Sequence, residues 1–361
     1  MANFDLTNLA IKSTCPGNEL LYDDKNVPSV MVKIPKMTYA ELGLGSSAAT
    51  HPAFIVNGQE VSAIYISKYQ NVIHNGRAYS LPMEDPRTEI NFDSARAACE
   101  AKGAGWHLMT RAEWAMLALW CKANGTQPRG NNDYGKDASE SVYRAIPSMA
   151  RDDSNRVQRV ATGSGPASWS HDGTLSGIFD LNGNVWELVG GMRTVKGELQ
   201  ILANNNAADS DNSQAASSAQ WKAIKASDGT LITPDGNGTT TGSIKLDWVS
   251  SHAQWDTSIT DSAPGSHYCI FEAVTCSANI GNDAKALLQA LAMFKYDETA
   301  NAYNGDYFYF NNAEAERAFF CGGAWGTGAG AGVFYVNGNN TRSIVDTNIG
   351  FRSAYVELPT V

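Results

Sequence analysis

A glycine-rich run near the carboxyl end, Gly326-Thr-Gly-Ala-Gly-Ala331, matches the loose pattern of a dinucleotide-binding loop. Such a loop cradles phosphates where it joins a strand to a helix inside a βαβ unit. The residues that follow begin Val333-Phe-Tyr-Val336, and the rest of the sequence leaves no room for such a unit. We therefore expect the glycines to keep the backbone compact, and we predict no phosphate chemistry.

The thiol and imidazole side chains, which could bind metals or act as nucleophiles, are scattered along the sequence. No two cysteines form a Cys-x-x-Cys pair, and the histidines form no cluster. Cys269 and Cys276 are close enough in sequence to form a disulfide in an oxidising setting, or all the thiols could be reduced. The cysteines are Cys15, Cys99, Cys121, Cys269, Cys276 and Cys321, and the histidines are His51, His74, His107, His171, His252 and His267.

Net charge and hydropathy exclude several classes of partner. The formal net charge of −10 argues against nucleic acid, because neutralising phosphates requires clustered Lys and Arg. No apolar run is long enough to span a bilayer, so we expect no membrane insertion. The first residues lack the features of a secretory signal, which predicts a route independent of a signal peptide. The length of 361 residues allows one large domain, and we expect a single domain over 1–361.

The segment 322–352, hereafter the C-terminal segment, combines two kinds of sequence. Its ends, Gly322-Gly-Ala-Trp325 and Gly350-Phe-Arg352, have residue types typical of a fixed fold. Between them lie small, polar and turn-forming residues with almost no hydrophobic period. Such a segment is either a poorly ordered loop or a surface whose side chains can differ because the backbone is fixed elsewhere.

Two helices and two strands are predicted ahead of this segment. Residues 1–60 read as an irregular lead-in with one strand over 30–35, and 63–69 alternates as a second strand. Asn91 or Asp93 can cap a first helix. The second helix begins with the capping box Thr110-Arg-Ala-Glu113 and ends at Asn124-Gly125. This second helix is the best determined element of the sequence.

The second half of the chain gives weaker signals. A hairpin is predicted from 188–193 and 197–202, and a final strand over 350–356. Residues 203–245 are rich in small polar types and are expected to form a mobile surface. A short apolar stretch, 286–294, predicts one more helix.

Three ordered motifs resemble the formylglycine-generating enzyme superfamily. Trp106-His-Leu-Met-Thr-Arg-Ala-Glu-Trp114 is similar to its R-L-P-T-E-A-E-W helix start. Gly177-Ile-Phe-Asp-Leu-Asn-Gly-Asn-Val-Trp-Glu187 is similar to its G-L-Y-D-M-x-G-N-V-W-E signature. Gly322-Gly-Ala-Trp325 with Gly350-Phe-Arg352 resembles its closing R-G-G-S-W…G-F-R.

This resemblance implies an α+β, C-type-lectin-like fold with two helices packed on small, mostly antiparallel sheets. The stretch from about 203 to 310 is much longer than the segment that usually links these motifs in the family. We interpret it as a long insertion. The positions that bind calcium in enzyme relatives correspond to Asp180, Gly183, Val185 and Glu187. The alternative is a buried turn without metal, so calcium is possible and no cofactor is required.

Trp114, Trp186 and Trp325 are expected in the core, and Arg352 is expected to pair with Glu113 or Glu187.

Catalysis is not predicted. The oxidase branch of the superfamily needs a cysteine pair after the Gly-Gly-x-Trp motif, and 322–352 contains no cysteine. The iron-dependent branch needs a histidine cluster. A divergent oxidase is kept as an alternative.

The C-terminal segment resembles the variable proteins of diversity-generating retroelements, of the phage or prophage type. Their templates read like G-G-N-W-N-N-G-A-N-A-G-V-F, and adenines of the Asn codons are mutated. Residue types unreachable in this way from an Asn codon, namely Lys, Glu, Gln and Met, do not occur in 322–352. The positions that correspond to such Asn codons are Ala324, Gly326, Thr327, Gly330, Tyr335, Asn337, Ile344, Val345, Asp346 and Thr347.

The resemblance implies a display protein that binds a protein or glycan ligand on a host or partner cell surface. It would be located on a virion, at a tail tip or fibre, or on a cell surface. Tyr335, the only large aromatic residue among the ten positions, is expected to be the main ligand anchor on an exposed face. A structural virion component without diversification remains a second alternative.

Overall fold

The computed structural model describes residues 5–261, 263 and 265–359. Its helices follow the capping signals of the sequence. The side chain of Asn91 accepts the Ser94 N–H at 2.9 Å, and both hydrogen bonds of the capping box of Thr110 and Glu113 are present. Gly125 ends the second of these helices in the left-handed conformation, at φ 66°. The helices are α1 (Leu6–Thr14), α2 (Phe92–Glu100), α3 (Arg111–Asn124) and α4 (Asn282–Ala290).

Most of the remaining ordered chain is β-structure in short strands. In chain order these are β1 (Asn18–Tyr22), β2 (Pro28–Pro35), β3 (Ile55–Val56), β4 (Gln59–Glu60), β5 (Ala63–Ser67), β6 (Val72–His74), β7 (Arg77–Tyr79), β8 (Trp106–Leu108), β9 (Trp186–Val195), β10 (Glu198–Ile201), β11 (Lys222–Ile224), β12 (Leu231–Ile232), β13 (Lys245–Val249), β14 (His252–Asp256), β15 (His267–Ile270), β16 (Thr275–Cys276), β17 (Tyr307–Phe310), β18 (Arg317–Gly322), β19 (Gly332–Asn340), β20 (Ile349–Phe351) and β21 (Ser353–Tyr355).

Two sheets organise the molecule. The smaller has the order β1-β2-β5-β21-β8. The larger follows β15-β17-β19-β18-β9-β10-β13-β14-β16, with β20 beside β9 and with β11 and β12 beside β10. Most pairs are antiparallel, whereas β17 with β19, β20 with β9 and β14 with β16 are parallel. The predicted α+β class, with helices packed on mostly antiparallel sheets, is confirmed.

Helix α3 is buried on nearly all sides and lies in the main core. Its Trp114 donates from Nε1 to the carbonyl of Val333 in β19, at 2.8 Å. This hydrogen bond ties the central helix to the backbone of the C-terminal segment. Trp114, Trp186 and Trp325 are all buried, as predicted.

The end of the chain departs from the prediction of a single strand over 350–356. It forms two strands: β20 pairs with β9 in the larger sheet, and β21 pairs with β5 and β8 in the smaller one. Arg352 lies at the change of sheet, where the buried ion pair it forms with Glu187 holds the crossing. That pairing confirms the second of the two partners predicted for Arg352.

Residues 203–245 contain strands that their composition did not predict. Strand β11 pairs with β10, and β13 pairs with β10 and β14, so this region extends the larger sheet. The few large apolar residues present, Trp221, Ile224 and Ile244, are all buried. A small number of well-placed apolar side chains is enough to fix a strand within an existing sheet.

Two further differences concern the lead-in and the helix α4. The lead-in contains α1 and β1, which the sequence analysis missed, and α4 begins four residues earlier than predicted. All six cysteines are free thiols, including Cys269 and Cys276. Within the described residues no helix is both long and apolar enough to cross a membrane.

Candidate ligand-binding surface

The ten positions predicted to contact a ligand differ widely in exposure. Gly326, Val345, Asp346 and Thr347 are exposed, Thr327 and Ile344 are half-buried, and Ala324, Gly330, Tyr335 and Asn337 are buried. In this structure the first six can contact a ligand, and the last four can act only by shaping the surface from beneath. The prediction that all ten face the solvent is therefore wrong for these four.

Tyr335 is not the exposed anchor that was predicted. Its side chain is 6% exposed and packs edge-on against Trp186, with 4.6 Å between ring centroids and 83° between ring planes. The ring of Tyr307 lies 5.8 Å away on another side. Burial also raises the pKa of the Tyr335 phenol. Tyr335 belongs to the core, because the register of β19 turns it toward Trp186.

The start of the C-terminal segment is fixed by its glycine conformations and by a backbone hydrogen bond. Gly322 and Gly323 have φ values of 88° and 89°, which favour glycine strongly. A Cβ atom on Gly322 would lie 2.8 Å from the Leu181 carbonyl oxygen. The N–H of Trp325 donates to the Asn184 carbonyl at 3.1 Å. The Gly-Gly-x-Trp motif thus positions the chain on both sides of its first candidate position.

The loop 341–348 is also held by its backbone and by Arg342. The Arg342 guanidinium pairs with Asp93 at 2.8 Å and with Glu316 at 3.1 Å. The carbonyl of Asp346 accepts the Glu89 N–H at 2.9 Å. The side chain of Val345, 52% exposed, is left free to contact other molecules.

A recess of about 420 Å³ lies beside the turn 328–331. The small side chains of Ala329 and Ala331 line one side of it. Polar side chains that include Arg129, Asn132 and Asp137 line the rest. Tyr335 is not part of this recess.

A row of tyrosines forms the outer face of β15 and β17, beside the segment. Tyr268 is 60% exposed, and its ring lies 5.7 Å from that of Tyr307 and 6.2 Å from that of Tyr309. The hydroxyl of Tyr309 donates to Ser266 Oγ or accepts from it at 2.7 Å. We call Tyr268, Tyr307 and Tyr309 the tyrosine face.

The tyrosine face was missed by sequence reasoning, although a signal for it exists. Residues 307–310 read Tyr-Phe-Tyr-Phe, and this alternation places the phenylalanines inward and the tyrosines outward in a strand. Phe308 and Phe310 are buried as that pattern requires.

One apolar cluster connects the tyrosine face with the C-terminal segment. Trp186, Ala324 and Tyr335 lie inside this cluster, and Tyr307, Tyr309 and Ile344 pack at its border. Gly330 is in contact with the same region, because a Cβ atom there would meet the Tyr307 ring at 2.9 Å. Four of the ten candidate positions are thus gathered around one cluster.

The four residues predicted to hold calcium lie together in the buried turn before and within β9. The backbone carbonyls of Asp180, Gly183 and Val185 and the carboxylate of Glu187 all point to one atom, Nε2 of Gln70, at 3.1–3.5 Å. The Asp180 carboxylate accepts the Gly163 N–H at 2.9 Å instead. Burial raises the pKa of Asp180 to about 6.

The chemistry near Cys321 is that of a buried thiol. Burial raises its pKa to about 11, and the Arg111 guanidinium lies 3.0 Å from its sulfur atom. In the part of the chain that the structure describes, no group of three or more His, Cys, Asp or Glu side chains is placed to hold a metal ion.

No family model and no curated protein matches the sequence. Among solved structures the chain is similar to PvdO from Pseudomonas aeruginosa, with 14% identity and a TM-score of 0.38 over 95% of this chain and 99% of that one. It is similar to Treponema denticola variable protein 1, with 11% identity and a TM-score of 0.32 over 95% and 100%. It is also similar to a Major Tropism Determinant U1 variant, with 11% identity and a TM-score of 0.32 over 91% and 63%. No activity or ligand is carried over from these likenesses.

Proposed function

We propose that the chain is a ligand-binding display protein whose C-terminal segment is diversified by a retroelement. Its ligand is a protein or glycan on the surface of a host or partner cell. Its place is a virion tail tip or fibre, or a cell surface reached without a signal peptide. The proposed role is binding, with no catalytic step.

The observation that carries this proposal is the surface around the cluster of Trp186, Ala324 and Tyr335. Its border is formed by exposed or half-buried side chains from two separate parts of the chain, the tyrosine face and the loop that holds Ile344. The backbone beneath is supported by glycine conformations and by backbone hydrogen bonds. Side chains on such a surface can change without loss of the supporting fold.

The tyrosine face supplies the anchors that Tyr335 cannot provide. Specific interfaces bury about 1,200–2,000 Å², and a few aromatic or arginine side chains dominate their energetics. Tyr268 combines a large exposed ring with a polar hydroxyl, and Tyr307 and Tyr309 extend that surface toward the segment. We infer that these tyrosines provide affinity and that the exposed variable positions decide which ligand is bound.

The gene itself offers a direct test of diversification. In related isolates, coding differences should concentrate at the ten candidate positions, and a near-copy of the 3′ end of the gene should lie beside a reverse transcriptase gene. Differences spread evenly over the chain would contradict the proposal and favour a structural virion component. Copper-dependent oxidation of a thiol peptide by the chain would contradict it in favour of a divergent oxidase.

Binding is tested with the fluorescently labelled full chain and a panel of intact bacterial cells. For a cell type that binds the wild type, Tyr268→Ala should weaken binding roughly tenfold or more, the loss typical of an aromatic anchor. Because Tyr268 is exposed, stability should change by less than about 0.5 kcal/mol.

The matched control is Tyr22→Ala, which removes a 39% exposed tyrosine from β1 in the other sheet. It should leave cell binding unchanged. Equal losses from both variants, or no loss from Tyr268→Ala, would show that the tyrosine face is not the contact surface.

A further inference from the structure

The position at which enzyme relatives hold calcium contains, in this chain, the side-chain amide of Gln70. Gln70 is fully buried, and its Nε2 lies 3.1 Å from the carbonyl oxygens of Asp180 and Val185 and 3.5 Å from that of Gly183. It lies 3.1 Å from Oε1 of Glu187. Four oxygens thus surround one nitrogen that has only two protons to donate.

These residues do not fit a calcium ion. Calcium takes six to eight oxygens at about 2.3–2.6 Å. The distances around Gln70 Nε2 are those of amide hydrogen bonds. Of the two oxygens of the Asp180 carboxylate, which was expected as a ligand, Oδ2 accepts the Gly163 N–H, and Oδ1 has no hydrogen-bond partner among the described residues.

The orientation of the amide is fixed by its other end. Nδ2 of Asn184 donates to Oε1 of Gln70 at 2.9 Å, and Oδ1 of Asn184 accepts the Val160 N–H at 2.9 Å. A flipped Gln70 would place its NH2 group against the NH2 group of Asn184 and its oxygen among four oxygens. The network therefore assigns nitrogen to the centre of the turn.

The Glu187 carboxylate is already paired with a buried cation. The Arg352 guanidinium donates from Nε to Glu187 Oε2 at 2.5 Å and from Nη2 to Oε1 at 2.6 Å. Both side chains are buried, so their charges offset each other in a poorly solvated site. A divalent cation beside Glu187 would be repelled by this guanidinium.

We propose that the Gln70 amide takes over the structural role of a calcium ion, so that the turn 180–187 is held without metal. It gathers the three carbonyls through hydrogen bonds, and Arg352 neutralises the carboxylate. The inference does not depend on the proposed function, because it concerns the support of Trp186 and not the ligand.

The first test measures the melting temperature of the full chain in EDTA and in millimolar CaCl2. We expect the two temperatures to agree within about 1 °C, because a ligand that does not bind the folded chain cannot stabilise it. An increase in calcium that EDTA reverses would overturn the proposal.

The second test compares Gln70→Leu with Gln214→Leu. Both glutamines are buried. The side-chain oxygen of Gln70 accepts a side-chain N–H of Asn184, and that of Gln214 accepts the backbone N–H of Gly191. They differ at the nitrogen, since Gln214 Nε2 donates only to the Ala207 carbonyl, at 3.4 Å. Gln70→Leu should melt roughly 5 °C or more below Gln214→Leu, because it leaves several buried acceptors without a hydrogen-bond donor.

Equal melting temperatures for the two variants would overturn the proposal. If Gln70→Leu does not fold while Gln214→Leu does, the required role of the amide is supported, and the calcium measurement on the wild type remains the independent test of metal.

Discussion

Residues of the C-terminal segment fall into two groups with different physical roles. Side chains such as Val345 project into solvent, so their identity affects contacts with other molecules more than folding. Side chains such as Tyr335 fill space against Trp186, so their identity affects the shape and stability of the supporting core. If a retroelement rewrites both groups, some variants of the buried positions must fold less well than others.

Tyr335→Ala should destabilise the protein by about 3–5 kcal/mol, the range found when a large aromatic side chain is removed from a core. The ring is 6% exposed and contacts both Trp186 and Tyr307, so its loss leaves a cavity. Urea unfolding followed by Trp fluorescence measures the change.

Val345→Ala is the matched control from the same segment, and it should change the unfolding free energy by less than about 0.5 kcal/mol. Equal stability of the two variants would mean that the Tyr335 ring lies on the surface, where it could be the ligand anchor that the sequence predicts.

The sequence predicted some helices and strands better than others. Those fixed by neighbouring residues were predicted well, and those fixed by distant parts of the chain were not. Helix α3 was predicted with its correct ends, because the capping box and Gly125 act through neighbouring residues. The final strand was not, because the split into β20 and β21 depends on which distant strands are available for pairing.

The candidate site shows the same division between local and distant causes. The sequence predicted the glycine frame and the pairing of Arg352 with an acidic residue. It could not predict the burial of Tyr335, which depends on the register of β19 against strands from elsewhere in the chain. The sequence also could not predict the role of Gln70, because this residue lies more than a hundred residues from the turn that it holds.

The Gly-Gly frame can be tested by comparing Gly322→Ala with Gly328→Ala. Both glycines have positive φ, 88° and 77°, so both variants incur the left-handed strain of about 1–2 kcal/mol. Only at Gly322 would the new Cβ atom also clash, at 2.8 Å from the Leu181 oxygen and 3.2 Å from the Trp114 ring, while Gly328 has open space.

We therefore expect Gly322→Ala to lower the unfolding free energy by at least about 1 kcal/mol more than Gly328→Ala does. Chemical denaturation of the two variants provides the measurement. Equal losses would mean that the turn before the variable positions can shift freely, which would contradict a fixed backbone frame.

The molecule as a whole depends on contacts between the lead-in, the central helix and residues 203–310. His51, from the lead-in, is fully buried and accepts the Ala53 N–H at Nδ1, at 3.2 Å. Its Nε2 lies 2.8 Å from the carbonyl of Ala290, the last residue of α4. Only a neutral ring with its proton on Nε2 satisfies both contacts. Residues 203–310 are thus tied into the core by a group that can titrate.

The burial of the His51 ring predicts a loss of stability in mild acid. Burial lowers the pKa of His51 from 6.5 to about 4. Between these values the unfolded chain binds a proton that the folded chain does not, so stability is fully present above pH 6.5 and falls toward pH 4. The contribution lost at pH 4 is about 3 kcal/mol at 1.36 kcal/mol per pKa unit. Urea unfolding between pH 7 and pH 4.5 measures it.

His51→Gln removes the titrating group while keeping a side chain that can donate a hydrogen bond. We expect this variant to be less stable than the wild type at pH 7 and to lose less stability between pH 6.5 and 4.5. Other groups titrate in the same range, but they affect both proteins equally, so the difference between the two curves isolates His51. His74→Gln, at an exposed position, should follow the wild-type curve. Parallel curves for wild type and His51→Gln would mean that burial does not lower the pKa of His51 in the folded chain, and would contradict a buried neutral ring that donates to α4.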